Sequence, residues 1–486
     1  MRSWLSVCFY GRKVQERKPI YRLLHHYNSL SNKMDKSLLA VRNINHKYIV
    51  VEKEKTNMKK LMAAVLTATV ATGLLAGCST GNGGNGEKGS EAAGKQEVTM
   101  WGSMSGDAVE YINQMTENYN NSQEKYHVTY AVQDSMEEKL VTAIAGGDVP
   151  DIVMWDRFTT ATYAAKGAFM PLDDYIAGDR VDMDQFYQPT VEEMKGNDGK
   201  QYGVPLTVDT RILFYNKELL KEAGVNPEEI STWDALKTAA AALTKRDAGG
   251  KLEQSGFSLS DPGLFNNWIL QAGGKMVDDT VTPPVTAFNS EAGLAVLNYW
   301  DELLNQEKVY ELGFEDGFGG NGFKAGKVAI CFNGPWALKS LDESGISYGV
   351  LEQPEGPGGV RSAIMGGFGL VIPSKAKNPD AAWDFIKWWT TQPENGVEFA
   401  KLSANLPANK NAAADDYFMN DEILSVFSKT MLYATTRMPV PGYSDVEGLA
   451  LRPQLDLFVG GTLSAEEALA TAQKQGDKIL AEAASK

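Results

Sequence analysis

Residues 97–155 read EVTMWGSMSGDAVEYINQMTENYNNSQEKYHVTYAVQDSMEEKLVTAIAGGDVPDIVMW, and the hydropathy period switches repeatedly along them. EVTMWG predicts a short strand. Asp107–Tyr119 carries Val109, Ile112, Met115 and Tyr119 at helical spacing. YHVTYAV predicts a second strand. SMEEKLVTAIAGG opens with a capping-box pattern, Ser135 with Glu138, and stops at Gly146-Gly147. PDIVMW, rich in Ile, Val, Met and Trp, predicts a buried third strand. A βαβαβ opening implies a parallel sheet with right-handed crossovers, and so an α/β fold.

Upstream of this stretch the composition changes sharply. Ser79–Lys95 is Gly, Asn, Ser, Glu and Lys with little to bury, which predicts a flexible tether over 78–96. Before it, Met58, Lys59 and Lys60 lead into LMAAVLTATVATGLL at Leu61–Leu75, the pattern of a secretory signal peptide over 58–77. That run is shorter than the roughly 20 residues a membrane span needs. Leu75-Ala76-Gly77-Cys78 resembles the lipobox of bacterial lipoproteins, which implies acylation of Cys78 and anchoring to a membrane. A buried helix ending in Gly-Cys is the structural alternative. Because a signal peptide belongs at an N-terminus, residues 1–57 read as an artefactual upstream extension. The alternative is a basic arm for nucleic acid or anionic membrane, since they hold about 12 Lys and Arg against about 4 Asp and Glu.

The chain carries a formal charge of −15. Without residues 1–57 and the two signal lysines it is near −25, so nucleic acid is not an expected partner. Of three cysteines, Cys8 lies in the leader and Cys78 is the lipidation candidate. Cys331 stays alone in the apolar KVAICF, where a core thiol is expected. His127 is the one histidine after Cys78, which argues against His-based metal sites and Ser/His or Cys/His catalysis. DRVDMDQ lacks the glycine of a calcium loop, so neither metal nor cofactor is expected. GFGGNG matches GxGxxG at Gly317, Gly319 and Gly322, but no strand precedes it and a loop is expected.

Downstream, about 390 residues with the chain's 43% apolar and 10% aromatic content suffice for two large domains. Asp198-Gly199 marks a hairpin; TRILFYNKELLKEAG is strand then helix; Ser290 starts a helix; KVAICFNGPW and GGFGLVIP are strands. Pro379 opens another helix, and Ser464 with Glu467 caps the last.

Five segments in order, AIAGGDVPDIVMWD, YAAKGAFMPLDDYI, DGKQYGVPLTVDTRILFYNK, FKAGKVAICFNGPW and MGGFGLVIPSKAKNPDAAWDFIKWW, resemble the extracellular solute-binding proteins of sugar ABC importers, of the maltose and multiple-sugar type (family 1). The resemblance implies a type II periplasmic-binding-protein-like fold: two α/β lobes, each discontinuous in sequence, closing by hinge motion around a ligand between them. Expected lobes are 97–208 with 349–392, and 209–348 with 393–486. It further implies a monomeric, non-enzymatic receptor that delivers an oligosaccharide to a permease and its ATPase. The expected place is the extracellular face of the cytoplasmic membrane, as in a Gram-positive cell. A surface-attached carbohydrate-active enzyme and the recognition subunit of a sugar sensor are the alternatives.

A sugar offers apolar C–H faces and a rim of hydroxyls, so aromatics beside carboxylates or arginines at strand ends are the candidates. WDRF supplies Trp155, Asp156 and Arg157; family relatives with a similar Trp…Asp-Arg cluster space Trp and Asp further apart. NGPW supplies Trp336, which matches the family's stacking tryptophan, and Asp209 in TVDTR matches a position that often carries a ligand carboxylate. Arg211 is expected to touch ligand or to pair with Asp209. Further candidates are Trp101, Ser103, Asp134, Trp268, Gly367, Phe368, Arg437 and Tyr443. Two of Arg157, Arg211, Arg361 and Arg437 facing the cleft would make an acidic sugar an option.

Overall fold

The computed structural model describes residues 38–42, 48–52 and 94–485. The chain divides into two compact units, Met1–Ser90 and Glu91–Lys486. In the first, Leu38–Arg42 pairs antiparallel with Tyr48–Glu52. Cys78, the signal segment and most of the tether lie outside the described residues. No helix among the described residues is long and apolar enough to cross a membrane.

The second unit opens as its periodicity predicts: β1 (Gln96–Gly102), α1 (Asp107–Ser122), β2 (Tyr126–Val132), α2 (Met136–Gly146) and β3 (Ile152–Asp156). The helical stripe of α1, Ile112, Met115 and Tyr119, is buried. Asn120 on α1 fixes the following strand by bonding both ways with the Val128 backbone, at 2.9 and 2.7 Å. β1 is parallel to β2 with Val98 opposite Val128, and parallel to β3 with Met100 opposite Ile152. The capping box expected at Ser135 does not form: Ser135 is left-handed (φ 52°), so its hydroxyl makes no cap bond. The Gly147 stop does form, left-handed and bonded back to Ala143.

The sheet is then completed from far along the chain. β4 (Gly203–Pro205) is reached through the Asp198-Gly199 turn, where Gly199 is left-handed and Lys195 bridges Gln201. After β5 (Thr207–Val208) the chain enters a second sheet: β6 (Ile212–Asn216), β7 (Lys245–Arg246), β8 (Leu252–Phe257), β9 (Val328–Asn333) and β10 (Tyr348–Leu351). Here the strand order is β10-β6-β9-β8-β7. The chain returns through β11 (Phe368–Val371), which lies antiparallel to β3 and gives the first sheet the order β2-β1-β3-β11-β4. That sheet is mixed, not wholly parallel as its opening implied.

Two assignments shift from the expected lobes. β10 pairs with β6, Tyr348 opposite Asn216, so it is an edge of the second sheet although it straddles the expected return at 349. The helix Pro393–Ser403, expected in the second lobe, buries Val397, Phe399 and Ala400 in the core that also holds the α1 stripe. That helix also packs against α1. Caps at Ser290 and Ser464, the latter a complete capping box with Glu467, and Pro379 in a first turn are as expected. Cys331 is buried on β9, and burial pushes its thiol up.

Candidate ligand-binding cleft

The chain passes between the sheets at 206–211, at 352–367 and again between 404 and 435. At the first two passages the strands touch: Asp209 and Gly366 exchange backbone hydrogen bonds of 3.1 and 2.9 Å. Beside this rung opens a cleft of about 880 Å³. Met104, Ser105 and Tyr111 line it from the first lobe with Asp156 at the end of β3 and Phe368 at the start of β11, Trp336 and Lys339 from the second, and Asp209, Arg211 and Gly367 lie along the passages.

Trp336 sits in the short helical turn Pro335–Ala337 after β9 and is 45% exposed, unusual for so large an apolar ring. A side chain at Gly334 would strike the indole at 2.1 Å, so the glycine lets the ring fold over the backbone and face the cleft. The Arg211 guanidinium lies 5.3 Å from the Trp336 ring centre. Its positive charge is flanked by Asp156 and Asp209. Burial raises the Asp156 carboxyl to about 6, against the opposing pull of Arg437, and burial likewise raises Asp209.

Arg437 stacks over Phe158 at 4.5 Å and pairs with Glu447 at 3.0 Å, which Asn266 also holds at 2.9 Å. Behind Arg211 and Arg437, and sharing both, lies a side chamber of about 270 Å³ with Asp261, Asn266, Ser444 and Gly448 in its wall. A Cβ at Gly448 would meet no atom within 4 Å.

Other candidates fall elsewhere. Trp155 is 1% exposed and packs edge-on against Tyr163 and Phe169 at 4.9 and 5.0 Å; being next to Asp156 on β3, it must point to the opposite face. Trp101 joins that same cluster. Arg157 is fully buried and pairs with Glu193 at 3.0 Å. Trp268 is a core residue between Trp233, Tyr299 and Phe332, and Tyr443 is buried in the same core. Ser103 and Asp134 are exposed and outside the cleft lining. Arg361 pairs with Glu355 and Glu352. Among the described residues no His/Cys/Asp/Glu cluster could hold a metal ion.

Helix-borne residues, which a strand-end rule does not reach, complete the lining. Lys339 on the helix Leu338–Ser344 donates to the Tyr111 hydroxyl of α1 at 2.6 Å and pairs with Asp107 at 3.4 Å, across the cleft. Lys401, Asn405 and Tyr417 also line it. Lys339 lies one helical step from Trp336, a spacing that was there to be read.

A cleft between two α/β lobes, with an exposed tryptophan beside carboxylates and arginines, sets a flat apolar ring among polar groups. The chain belongs to the bacterial extracellular solute-binding protein family, whose model matches residues 112–425. It is 27% identical over 392 residues to the arabinooligosaccharide-binding protein of Bacillus subtilis, covering 75% of this chain and 86% of that one. It is 25% identical over 355 residues to the maltotriose-binding protein of Pyrococcus abyssi, covering 70% and 73%. In three dimensions it is similar to the GacH receptor of Streptomyces glaucescens, solved unliganded and with acarbose: TM-score 0.70, 26% identity, 79% of this chain and 98% of that one. Members of the family bind substrates rather than transform them, so the chain is not an enzyme.

Proposed function

We propose that the protein captures a neutral oligosaccharide in this cleft and delivers it, unaltered, to an ABC importer. The observation that carries the reading is Trp336, exposed in the cleft with Arg211 against its ring: an indole for a sugar face, a guanidinium and carboxylates for the hydroxyls around it. Neutral rather than acidic sugar follows from charge. Arg211 and Arg437 face the cleft, but Asp156 and Asp209 stand with them, and Glu447 already pairs with Arg437. The other arginines considered, Arg157 and Arg361, are spent on Glu193, Glu352 and Glu355.

The ligand site comprises Asp156, Asp209, Arg211, Trp336, Gly367, Phe368 and Arg437, with Tyr111, Lys339 and the side chamber added. The names of the two sugar-binding relatives support an oligosaccharide rather than a monosaccharide. A streptococcal relative 24% identical over 326 residues is named as a maltooligosaccharide ABC transporter solute-binding lipoprotein. That name, with the lipobox ending at Cys78, supports lipid anchoring to the extracellular face of a Gram-positive cytoplasmic membrane.

The test is a melting screen of the unit Glu91–Lys486 against neutral and acidic oligosaccharides. A ligand at 100 times its dissociation constant stabilises the fold by about 2.7 kcal/mol, a shift of several degrees. A response to neutral sugars, recovered intact, is expected. A response confined to acidic sugars would overturn the charge argument, and no response to any sugar would overturn the reading itself.

A further inference from the structure

Arg157 follows Asp156 directly, yet its side chain never reaches the cleft. Its guanidinium is used up inside. Nε donates to Glu193 Oε2 at 3.0 Å, Nη2 to the Gly366 carbonyl at 2.6 Å, and Nη1 to the Thr207 carbonyl, with the Phe368 carbonyl oxygen 3.5 Å from the same Nη1. Thr207 is on the outbound passage between the sheets; Gly366 and Phe368 are on the return. One planar fork therefore grips both strands, at the rung where Asp209 and Gly366 are also bonded to each other. The approach is close enough that only glycine fits at 367: its φ is +125°, and a Cβ there would lie 2.4 Å from the Thr207 carbonyl and 2.5 Å from Arg157 Nη1. Glu193, 1% exposed at the end of the helix Gln188–Glu193, holds the fork from behind.

We propose that Arg157, held by Glu193, is a positioning residue: it clamps the two chain passages at the base of the cleft and so sets where Asp209 and Phe368 meet the ligand. The clamp works through backbone carbonyls, which demands a fork of fixed geometry; a lysine keeps the charge but presents a single point. This proposal rests on the sugar-cleft reading for its effect on affinity, but not for the clamp itself.

The test uses two variants of the unit Glu91–Lys486, Arg157→Lys and the double variant Arg157→Met with Glu193→Leu. Removing both buried charges together avoids stranding one of them, so the double variant need not lose stability. Hydrogen exchange is read at the Asp209 and Gly366 amides without ligand, and sugar affinity is read in parallel. In both variants the two amides exchange about tenfold faster or more while amides of β1 and β3 keep their protection, and the dissociation constant rises about tenfold through faster release. A merely structural role would instead lower protection across the whole first sheet, or leave affinity intact once the double variant folds. Unchanged exchange at Asp209 and Gly366 in either variant overturns the clamp. Should the double variant not fold, Arg157→Lys decides alone. A parent protein that binds no sugar overturns the sugar reading, while the exchange measurement still decides the clamp.

Discussion

Trp155 and Trp336 carry the same indole into opposite surroundings, 1% and 45% exposed. Both were candidates because each follows or ends a buried strand, and motif alone does not say to which face a ring points. For Trp155 the pleat decides: Asp156 faces the cleft, so its neighbour faces α2 and the Phe169 cluster. Trp336→Ala is expected to change stability by about 0.5 kcal/mol or less while weakening sugar binding more than tenfold; Trp155→Ala should lose about 3–5 kcal/mol. Calorimetric titration and thermal melts of the two variants separate the roles. Asp156 gives a second prediction. Its carboxyl is raised to about 6, first by burial, with Asp209 and Glu137 adding to the rise and Arg437 and Arg157 opposing it. Sugar hydroxyls donate to the ionised form, so binding releases the proton. Affinity should be greatest above about pH 6 and fall as the pH drops through it, and Asp156→Asn should flatten that profile. For stability the sign is opposite. Burial raises Glu193 to about 7, so its contribution is fully present below its ordinary carboxyl range and lost as the pH rises through about 7.

At the scale of elements, periodicity and caps were legible because they are local. The α1 stripe, the Asp198-Gly199 turn and the Ser464–Glu467 box appear where residue order places them. Ser135 fails as a cap because its backbone is already left-handed as the chain leaves β2, which composition does not announce. What pairs with what is not local: nothing inside YGVL says that it pairs with β6 rather than the first sheet. The side chamber is a comparable case, assembled from 158, 211, 261–276 and 437–455. Gly448, with open space where a side chain would go, lets it be filled without disturbing the core. Gly448→Phe should leave the melting temperature nearly unchanged and cut affinity for longer oligosaccharides more than for short ones. Titration with a ladder of chain lengths checks this, and equal losses at every length would remove the chamber from the site.

Across the whole molecule, the two sheets are joined by passages that meet at the Asp209–Gly366 rung, and Lys339 reaches from one lobe to Asp107 and Tyr111 of the other. Sugar binding should therefore compact the molecule, and small-angle scattering should record a smaller radius of gyration with ligand than without. Lys339→Met should shift the unliganded protein toward the larger radius, by a small amount because solvent screens so exposed an ion pair. The order β2-β1-β3-β11-β4 has one more consequence. β4, at 203–205, has no neighbour in its sheet until β11, some 160 residues later, slides in between it and β3. A nascent chain cannot close its first sheet until most of it has been synthesised, and contacts so distant in sequence form slowly. Closure of the first sheet therefore waits on the return passage, and refolding is expected to show a slow step in which β11 docks between β3 and β4.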